Sequence, residues 1–585
     1  MIIVSYGGCV SPESIIELLT GGASGGADPA VQAEFDAFLE DQFREEVSAS
    51  SIDLNYSVRH PENYGIERIE PTLGEFGIEA FREIDEKNRK ALDELKSFRY
   101  TALTEEQQQV YDILKYDLEV SLEFEGFDYY SVILSPTVGL QAELPFVFAE
   151  YHFFTEEDVT DYLALLSELD QYLQDVLQFE REKSDLGLFM ADFTVDAIIK
   201  SCNEFMESKE DNFLIETFES RLEGLDLSAE QKTALIEENR DKILNEAIPA
   251  YARLVEGLEK LKGTGKNDGG LCNFEEGKKY YEILVKDSTG SGKSIREISD
   301  LVDGKLRQAF YTIGGVLQNN PDAYDYWLEP EYGVSGPAET MEFLIGKIAD
   351  TYPVPADVAY TLKYIHPSLE ESSSPAFYMI PPLDDFSNNV VYINNSYADS
   401  GSLYSIAAHE GFPGHLYQST YFFSKNPNPI RYVLMFNGYM EGWATYAELD
   451  AVNFADFPEM KEDLAALLAA DSIISLSVYA RADIGVNYEG WTAADIQNYL
   501  DAYGVGSEEF SQSVFESVVM EPANTLKYII GYFEFEELYD YASNELGDRF
   551  SQKDFHRSVL DIGPAPFPIV RKAVEQYVSE KKKGL

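Results

Sequence analysis

Long stretches of helical periodicity constrain the fold of this chain more than any other feature of its sequence. In five segments the apolar residues recur at spacings of three and four, with Glu and Lys between them, as on an amphipathic helix. The segments are 31–47, 81–98, 104–124, 155–183 and 228–261. Thr104, Thr155 and Ser228 stand where helix N-caps are expected, each followed by acidic or amide residues. The sequence therefore predicts a mainly α-helical protein.

Breaks in this periodicity divide the chain into parts. Residues 1–30 end in the low-complexity run GGASGGADPA, and we expect them to form a flexible segment ahead of the folded part. Residues 31–262 form a predicted N-terminal helical lobe, and a connection rich in Gly and Lys leads to a predicted catalytic lobe at 274–585. Within that lobe, two short strands are predicted at 376–380 and 389–394, joined as a hairpin by an Asp-rich turn. We expect the two lobes to form one integrated unit.

The charge balance of the chain excludes several kinds of partner. The 585 residues include 44 Lys and Arg against 105 Asp and Glu, and the net charge of −61 repels nucleic acid and anionic lipid. Apolar residues nevertheless make up 45% of the chain, which is too many for a disordered acidic polymer. Because no apolar run approaches the roughly 20 residues of a membrane-spanning helix, we predict no transmembrane segment. Three cysteines are too few and too scattered for a disulfide framework.

The first nine residues, Met1 to Cys9, resemble the end of a bacterial lipoprotein signal, in which an apolar stretch and small residues precede an acylated cysteine. The charged region and most of the apolar region of such a signal are missing, and a start codon further upstream would favour this interpretation. A lipid anchor through Cys9 would make this an exported protein, either a cell-surface lipoprotein or an extracellular protein of a bacterium. If the given start is genuine, Cys9 is a free thiol and we expect a cytoplasmic protein.

The residues that indicate chemistry are concentrated around two of the six histidines. His409 and His415 are six positions apart, Glu410 directly follows the first, and Glu441 lies 26 residues beyond the second. Two histidines and a later glutamate, with a spare glutamate beside the first histidine, make up the residue set of a catalytic zinc site. We therefore predict that His409, His415 and Glu441 bind one Zn²⁺. Glu410 is the predicted general base.

The spacing of the two histidines requires a break in their helix. Six residues at about 100° each would point His409 and His415 about 240° apart on an unbroken helix. Pro413 lacks the N–H that would bond the His409 carbonyl oxygen, and Gly414 tolerates the unusual dihedral angles of a bulge. A short excursion of the chain at Pro413 and Gly414 would bring the two imidazoles together.

Glu448 is predicted to lie behind the site instead of in it. It follows Glu441 by seven residues, roughly 10 Å along a helix, so both carboxylates could not bind one ion. Glu448 is either a hydrogen-bond partner of a metal ligand or a plain structural carboxylate. The alternative for the whole cluster is a pair of capped or core histidines beside a Pro-Gly kink, which leaves the adjacent Glu410 without a role.

These motifs resemble those of the bacterial domain of unknown function 885 family, whose hallmark is a His-Glu pair followed by Pro-Gly-His and then by Glu-Gly-Trp-Ala. The resemblance also covers the segments 35–39, 378–394, 481–491, 521–531 and 555–566. The family looks related to glutamate-type zincin metallopeptidases, and this relation implies a large two-lobed helical fold with a channel between the lobes. The resemblance also implies the same metal ligands and the same base at the matching positions.

Four further residues are candidates for contacts around the reacting centre. A developing oxyanion needs a hydrogen-bond donor, for which Tyr528 and His556 are the catalytic candidates. Arg481 is a candidate for holding a substrate carboxylate, unless it simply pairs with Asp483. Asn487 is a further candidate for substrate binding. It stands where the family commonly has a histidine, and an amide donates a hydrogen bond but carries no proton.

The expected function is zinc-dependent hydrolysis of peptide bonds in short peptides, by a carboxypeptidase or an oligopeptidase. Glu410 would take a proton from the attacking water and pass it to the leaving amine. The alternative is a peptide-binding lipoprotein, with zinc or without a metal, that captures ligands without cleaving them. The extra glutamate favours the enzyme, since a binding protein has no use for a base beside a metal ligand. Acidic residues are too abundant for any carboxylate pair to indicate a glycosidase.

Overall fold

Helices make up most of the chain in the computed structural model. The described residues are 27–207, 209–354, 358–367, 370, 374–397, 402–457 and 459–584. The predicted lipoprotein-like segment with Cys9 lies outside the described residues. A three-stranded sheet accompanies the helices, so the predicted mainly α-helical fold with a small β element is confirmed.

The helices follow one another along the chain with short connections. Those before the predicted connection are α1 (Pro29–Val47), α2 (Ser51–Ser57), α3 (Ile78–Ser97), α4 (Glu105–Glu123), α5 (Leu140–Glu150), α6 (Glu156–Leu186), α7 (Asp192–Glu207), α8 (Phe213–Glu216), α9 (Phe218–Arg221), α10 (Ala229–Lys242) and α11 (Ile248–Leu261). Those after it are α12 (Gly277–Thr289), α13 (Ile295–Asn319), α14 (Ala323–Leu328), α15 (Pro337–Lys347), α16 (Leu403–Glu410), α17 (His415–Phe423), α18 (Ile430–Val433), α19 (Asn437–Ala451), α20 (Lys461–Ile484), α21 (Ala493–Asp501), α22 (Glu508–Met520), α23 (Leu526–Leu546), α24 (Gln552–Ile562) and α25 (Phe567–Lys583). A π-helical turn, Ile243–Ala247, joins α10 to α11 without a break.

All five predicted long helices are present, with ends within a few residues of those expected. Helices α4, α6 and α10 begin with capping boxes at Thr104, Thr155 and Ser228. In each, the hydroxyl oxygen of the cap accepts a hydrogen bond from the backbone N–H three residues later. The side chain of that later residue accepts one from the backbone N–H of the cap. The N-cap positions read from the sequence are therefore correct.

Three short strands form the sheet: β1 (Tyr360–Tyr364), β2 (Ala376–Met379) and β3 (Asn389–Ile393). Their order is β1-β3-β2, with β2 antiparallel and β1 parallel to β3, so β2 forms one edge. The predicted hairpin is confirmed as β2 and β3, whereas β1 is missing from the prediction. Its sequence, Tyr-Thr-Leu-Lys-Tyr, alternates apolar and polar residues, and its first four side chains alternate between half-buried and exposed. This local signal is only five residues long, and the partner strand lies 29 residues further along the chain.

The largest hydrophobic core joins the beginning of the chain to its end. Phe35 of α1 and Leu114 of α4 belong to it, together with Trp443 of α19 and Phe555 of α24, and all four are almost fully buried. A separate core lies mainly among α5, α6, α7 and α11. Residues of the predicted N-terminal lobe, 31–262, therefore divide mainly between two cores, and Phe127 joins a third; the first and the third are shared with the second half of the chain.

Helices α19 and α23 cross in direct backbone contact at glycines. A Cβ atom added to Gly531 would lie 2.0 Å from the carbonyl oxygen of Gly438 and 2.6 Å from the Cα of Gly442. Only a residue without a side chain permits so close an approach of two backbones. The crossing therefore fixes the first turns of α23 against α19.

In the described part of the chain, α20 and the π-helical turn that follows it (Gly485–Glu489) form one continuous helix, 461–489. This helix is long and apolar enough to cross a membrane by length and composition. The helix passes this criterion although Asp471 and Arg481 interrupt its apolar residues, so the predicted absence of a transmembrane segment stays a prediction. The core helix of a soluble protein passes the same test, and only 33% of this apolar window is buried. Leu464, Val478 and Ile484 nevertheless pack in three different hydrophobic cores. The segment therefore packs against three parts of the protein interior.

Replacing Gly531 by alanine should lower the free energy of unfolding by about 1–3 kcal/mol, because the added methyl group meets backbone atoms that cannot rotate away. Gly304→Ala, in the middle of α13, is the matched control, since a Cβ added there meets no atom within 4 Å. The control should raise the stability by about 0.5–1 kcal/mol through helix propensity. Urea unfolding measures both effects, and a Gly531→Ala protein as stable as the wild type would contradict the close crossing.

Candidate metal centre

The helix that carries His409 is interrupted before His415, as the sequence predicts. Helix α16 ends at Glu410 and α17 begins at His415, after a turn of four residues. A Cβ atom at Gly414 would lie 1.7 Å from the carbonyl oxygen of His409, so only glycine lets the chain fold back this closely. The N–H of Gly414 donates to the carbonyl oxygen of Ala408 at 2.9 Å. Two separate helices, and not a bulge within one, bring the histidines together.

The two imidazoles converge on one carboxylate oxygen. Oε2 of Glu441 lies 3.5 Å from Nε2 of His409 and 3.3 Å from Nε2 of His415. The ring centroids of the histidines are 4.9 Å apart, and the ring planes are nearly perpendicular. In a tetrahedral zinc site with bonds of about 2.0–2.1 Å, neighbouring ligand atoms are about 3.3–3.4 Å apart. Both separations from Glu441 therefore suit three ligands of one ion.

Glu410 places a second carboxylate beside the imidazoles. One possible ligand atom from each of His409, Glu410 and His415 lies within 4.8 Å of the others. The backbone N–H of Tyr378, on the edge strand β2, donates to Oε2 of Glu410 at 2.8 Å. Two carboxylates thus compete for the position of third ligand. They differ in their contacts, because one oxygen of Glu441 lies near both imidazoles, whereas one oxygen of Glu410 is held by the strand.

Glu448 lies behind His409, on the side away from Glu441. Its Oε2 is 3.2 Å from Nδ1 of His409. When Nδ1 carries the proton, it donates to Glu448 and leaves the lone pair of Nε2 facing the cluster. Of the two roles that the sequence leaves open for Glu448, the structure therefore favours that of a hydrogen-bond partner. Nδ1 of His415 has no such partner among the described residues.

The charges of the cluster shift pKa values in opposite directions. Burial alone lowers the pKa of His409, but hydrogen bonds to Glu441 and Glu448 outweigh it and hold that pKa well above its usual value. Burial alone raises the pKa of Glu441, but hydrogen bonds from His409 and His415 outweigh it and hold that pKa well below its usual range. Burial raises the pKa of Glu410, against the charges of the two imidazoles. A firmly ionised Glu441 suits a ligand, and a more basic Glu410 suits a proton acceptor.

Trp443 ties the helix of Glu441 to the turn between the histidines. Its indole N–H donates to the carbonyl oxygen of Pro413 at 2.9 Å, and the side chain is fully buried. Because Trp443 follows Glu441 by two residues on α19, this bond fixes the helix that bears the carboxylate. The sequence motif contains Trp443 but gives no sign of this contact, which depends on the tertiary structure.

Tyr528 is the predicted oxyanion donor that lies beside the cluster. Its ring centroid is 6.2 Å from that of His409. Burial raises the pKa of its hydroxyl, and the charges of Glu441 and Glu410 raise it further, so the hydroxyl stays protonated at neutral pH. Tyr528 lies in the first turn of α23, which the glycine crossing holds against α19.

His556 lies in the core, and its contacts correct the predicted catalytic role. Its Nε2 is 2.9 Å from the hydroxyl of Tyr446, and its Nδ1 is 2.8 Å from the carbonyl oxygen of Thr351. The ring stacks on Tyr352 with centroids 4.1 Å apart. Burial lowers the pKa of His556 to about 3, so the imidazole is neutral. Both ring nitrogens are already bonded, and the side chain has a structural role.

Arg481 also makes its contacts away from the cluster. Its guanidinium lies 2.9 Å from a carboxylate oxygen of Glu489 and 3.4 Å from one of Asp303. The group also stacks 4.1 Å above the ring of Trp491. These partners replace both the predicted substrate carboxylate and the predicted alternative partner, Asp483.

Asn487 belongs to a buried network around Asp483. The carboxylate of Asp483 accepts hydrogen bonds from the Tyr281 hydroxyl (2.6 Å), the Asn487 amide (3.2 Å) and the backbone N–H of Ala523 (2.8 Å). The amide of Asn487 is also bonded to two backbone groups, so it has a structural role instead of the predicted substrate contact. Ala523 has a positive φ of 62° and precedes α23. Asp483, which the sequence suggests only as a partner of Arg481, therefore anchors the turn that leads to Tyr528.

The pH dependence of stability should report on Asp483. Burial raises its pKa to about 7, although three hydrogen bonds oppose the shift. Between the usual value of 3.8 and about 7, the folded protein binds a proton that the unfolded chain has released. The free energy of unfolding should therefore fall as the pH rises through this window.

Asp483→Asn removes the proton-binding group that makes the free energy of unfolding fall with pH. The stability of this variant should therefore depend less on pH than that of the wild type. Urea unfolding at about pH 4.5 and 7.5 measures the difference, with Asp93→Asn at an exposed position of α3 as the control. An unchanged pH dependence in Asp483→Asn would contradict the raised pKa.

Comparison with known proteins identifies the family of the chain. The family model described as bacterial protein of unknown function (DUF885) matches residues 62–308 and 330–574. These stretches contain the histidine and glutamate cluster, strand β2 and Tyr528. No curated protein matches the chain.

Two solved structures share the fold. One is a putative lipoprotein from Colwellia psychrerythraea, with a TM-score of 0.82 and 17% identity over 94% of this chain and 99% of that one. The other is a putative lipoprotein of unknown function from Shewanella oneidensis, with a TM-score of 0.64 and 14% identity over 92% of this chain and 99% of that one. At these identities the likeness shows a common fold. The family match, which covers most of the sequence, shows that the chain belongs to the DUF885 family of bacterial proteins of unknown function.

Proposed function

We propose that this protein is a zinc-dependent hydrolase of short peptides, in which His409, His415 and Glu441 hold one Zn²⁺. The observation that carries the proposal is the convergence of two Nε2 atoms on one oxygen of Glu441. Two imidazoles and one carboxylate are a ligand set that zinc prefers, and they leave one coordination position open. Zinc in such a site supplies a Lewis acid that polarises a carbonyl group and acidifies water.

Glu410 is the proposed general base. Its Oε2 accepts the N–H of Tyr378, which leaves Oε1 to take a proton from the attacking water. The oxygen of that water adds to the carbonyl carbon of the scissile bond. The proton then passes from Oε1 to the leaving nitrogen as the C–N bond breaks, and the products are a carboxylic acid and an amine.

Tyr528 and Glu448 would assist from two sides. The hydroxyl of Tyr528 remains a donor at neutral pH, and its ring lies beside His409, so it would donate to the oxyanion that forms at the attacked carbonyl. Glu448 would hold the His409 ring in its orientation through Nδ1.

The edge of β2 that faces away from β3 lies against Glu410. On a strand of an antiparallel pair, the N–H and C=O groups of one residue point to the same side. Since the N–H of Tyr378 is already bonded to Glu410, its carbonyl oxygen is the group left on this side to accept a hydrogen bond from an extended peptide. A peptide bound there would pass directly beside the proposed base.

We further propose a two-lobed, zincin-like arrangement of the helices and export as a lipoprotein. His409 near the end of α16, His415 at the start of α17 and Glu441 within α19 come together, which supports the first proposal. The lipoprotein descriptions of the two structures with the same fold support the second. Cys9 would carry the anchor.

Metal binding is the first test of the site. The wild type should bind one Zn²⁺, and His415→Ala and Glu441→Gln should each abolish tight binding, because each removes one of three ligands. Glu448→Gln should weaken binding by about 10–100-fold, since it loosens the orientation of His409. Competition with a chromogenic chelator measures these affinities.

His60→Ala, at an exposed histidine, is the control and should bind zinc as the wild type does. A wild type that stays free of metal after exposure to zinc, or a His415→Ala protein of unchanged affinity, would overturn the proposed ligand set.

Glu410→Gln should keep the metal but lose about 10²–10⁴-fold in the rate of peptide cleavage, because a general base contributes that much. Mass spectrometry of a mixed library of short peptides measures cleavage by the wild type and the variant. Glu34→Gln, at an exposed position of α1, is the matched control. Equal cleavage by wild type and Glu410→Gln would refute the base. Peptides bound but left intact by both proteins would favour the peptide-binding lipoprotein.

A further inference from the structure

Lys527 places beside the cluster a cation that the proposed reaction does not use. Its ammonium group lies 5.3 Å from the ring centroid of Tyr528, the next residue on α23. The side chain is half-buried, and in the described part of the chain no carboxylate oxygen lies within 4.0 Å of its nitrogen. Glu143, on α5, interacts with its charge over a longer distance. Lys527 is thus a cation without a close counterion in a strongly acidic protein.

The ammonium group lies within a few peptide residues of the proposed metal ligands. The ring centroid of Tyr528 is 6.2 Å from that of His409 and 5.3 Å from the Lys527 ammonium. The ammonium therefore lies no farther from the His409 ring centroid than these two distances combined. An extended residue spans about 3.3–3.6 Å, so this limit corresponds to about three residues. A peptide whose scissile bond lies at the cluster would therefore be able to reach Lys527 within about three residues of that bond.

A free C-terminal carboxylate that enters this site needs a counterion. The carboxylates of the cluster and the net charge of −61 repel it, and an unpaired carboxylate is costly to remove from water. Arg481, the residue that the sequence suggests for this contact, is already paired with Glu489 and Asp303. Lys527 has no such partner and lies beside Tyr528.

We infer that Lys527 binds the C-terminal carboxylate of the substrate, which makes the protein a carboxypeptidase that releases one to three residues. The inference rests on the proposed function and specifies its substrate class, namely short peptides with a free carboxyl terminus. The ammonium group would donate a charge-assisted hydrogen bond to the carboxylate. The hydrolysis itself is unchanged, and the contact selects which peptide bond lies at the cluster.

Equilibrium binding of two matched peptides tests this inference without turnover. A tetrapeptide with an N-terminal fluorophore is prepared with a C-terminal carboxylate and with a C-terminal amide. Dissociation constants are measured for the zinc-loaded Glu410→Gln protein, with and without Lys527→Gln. With Lys527 present, the carboxylate form should bind about tenfold or more tightly than the amide, and Lys527→Gln should abolish this preference. Lys90→Gln, exposed on α3, is the matched control and should retain it.

The possible results separate this inference from the proposed function. Equal binding of both peptides when Lys527 is present, equal losses for both in Lys527→Gln, or binding of neither peptide would overturn the inference. Cleavage by the wild type is measured in parallel. A wild type that cleaves neither peptide, but whose carboxylate preference depends on Lys527, would refute the proposed function and leave the carboxylate site standing. Cleavage of both peptides at equal rates, with no preference in binding, would support the proposed function and overturn the carboxylate site at Lys527.

Discussion

The contact between Gly414 and the carbonyl oxygen of His409 is the constraint on which the site depends. Any side chain at position 414 would collide with that backbone, and the second histidine would then leave its place beside the first. The bond from Trp443 to Pro413 fixes the same turn from the other side and carries the helix of Glu441 with it. Three groups from two distant parts of the sequence thus depend on one tight turn for their convergence.

A second close approach of backbones brings the remaining groups into place. Gly438 and Gly442 of α19 meet Gly531 of α23, and this crossing sets Tyr528 near the imidazoles. Asp483 also supports this arrangement, because its carboxylate accepts a hydrogen bond from the N–H of Ala523 and so fixes the turn before α23. The site is therefore built on packed helices and a strand edge. Its geometry rests on buried contacts, which hold catalytic groups more accurately than surface loops do.

Periodicity and local chemistry predict much of this structure, and tertiary packing decides the rest. The long helices and the interruption at Pro413 follow from spacing and from the properties of proline and glycine, which act over a few residues. Residue type alone does not reveal whether a side chain is already bonded by its neighbours. The sequence suggests a catalytic role for His556 and a substrate contact for Asn487, but both side chains are hydrogen-bonded within the protein core. The sequence suggests Asp483 only as a partner for Arg481, because two of the donors that it does bind, Tyr281 and Ala523, lie far away along the chain.

The hydrogen bonds of His409 have a consequence for how the cluster would load. Without an ion, the carboxylates of Glu441 and Glu448 favour the protonated imidazole, and the raised pKa of His409 expresses this preference. An incoming cation has to replace that proton, so metal and hydrogen ions compete for the same nitrogen. Acidification would then weaken metal binding at the proposed centre. A protein of this design would acquire its ion most readily in neutral or alkaline surroundings, and the uptake would acidify an unbuffered solution.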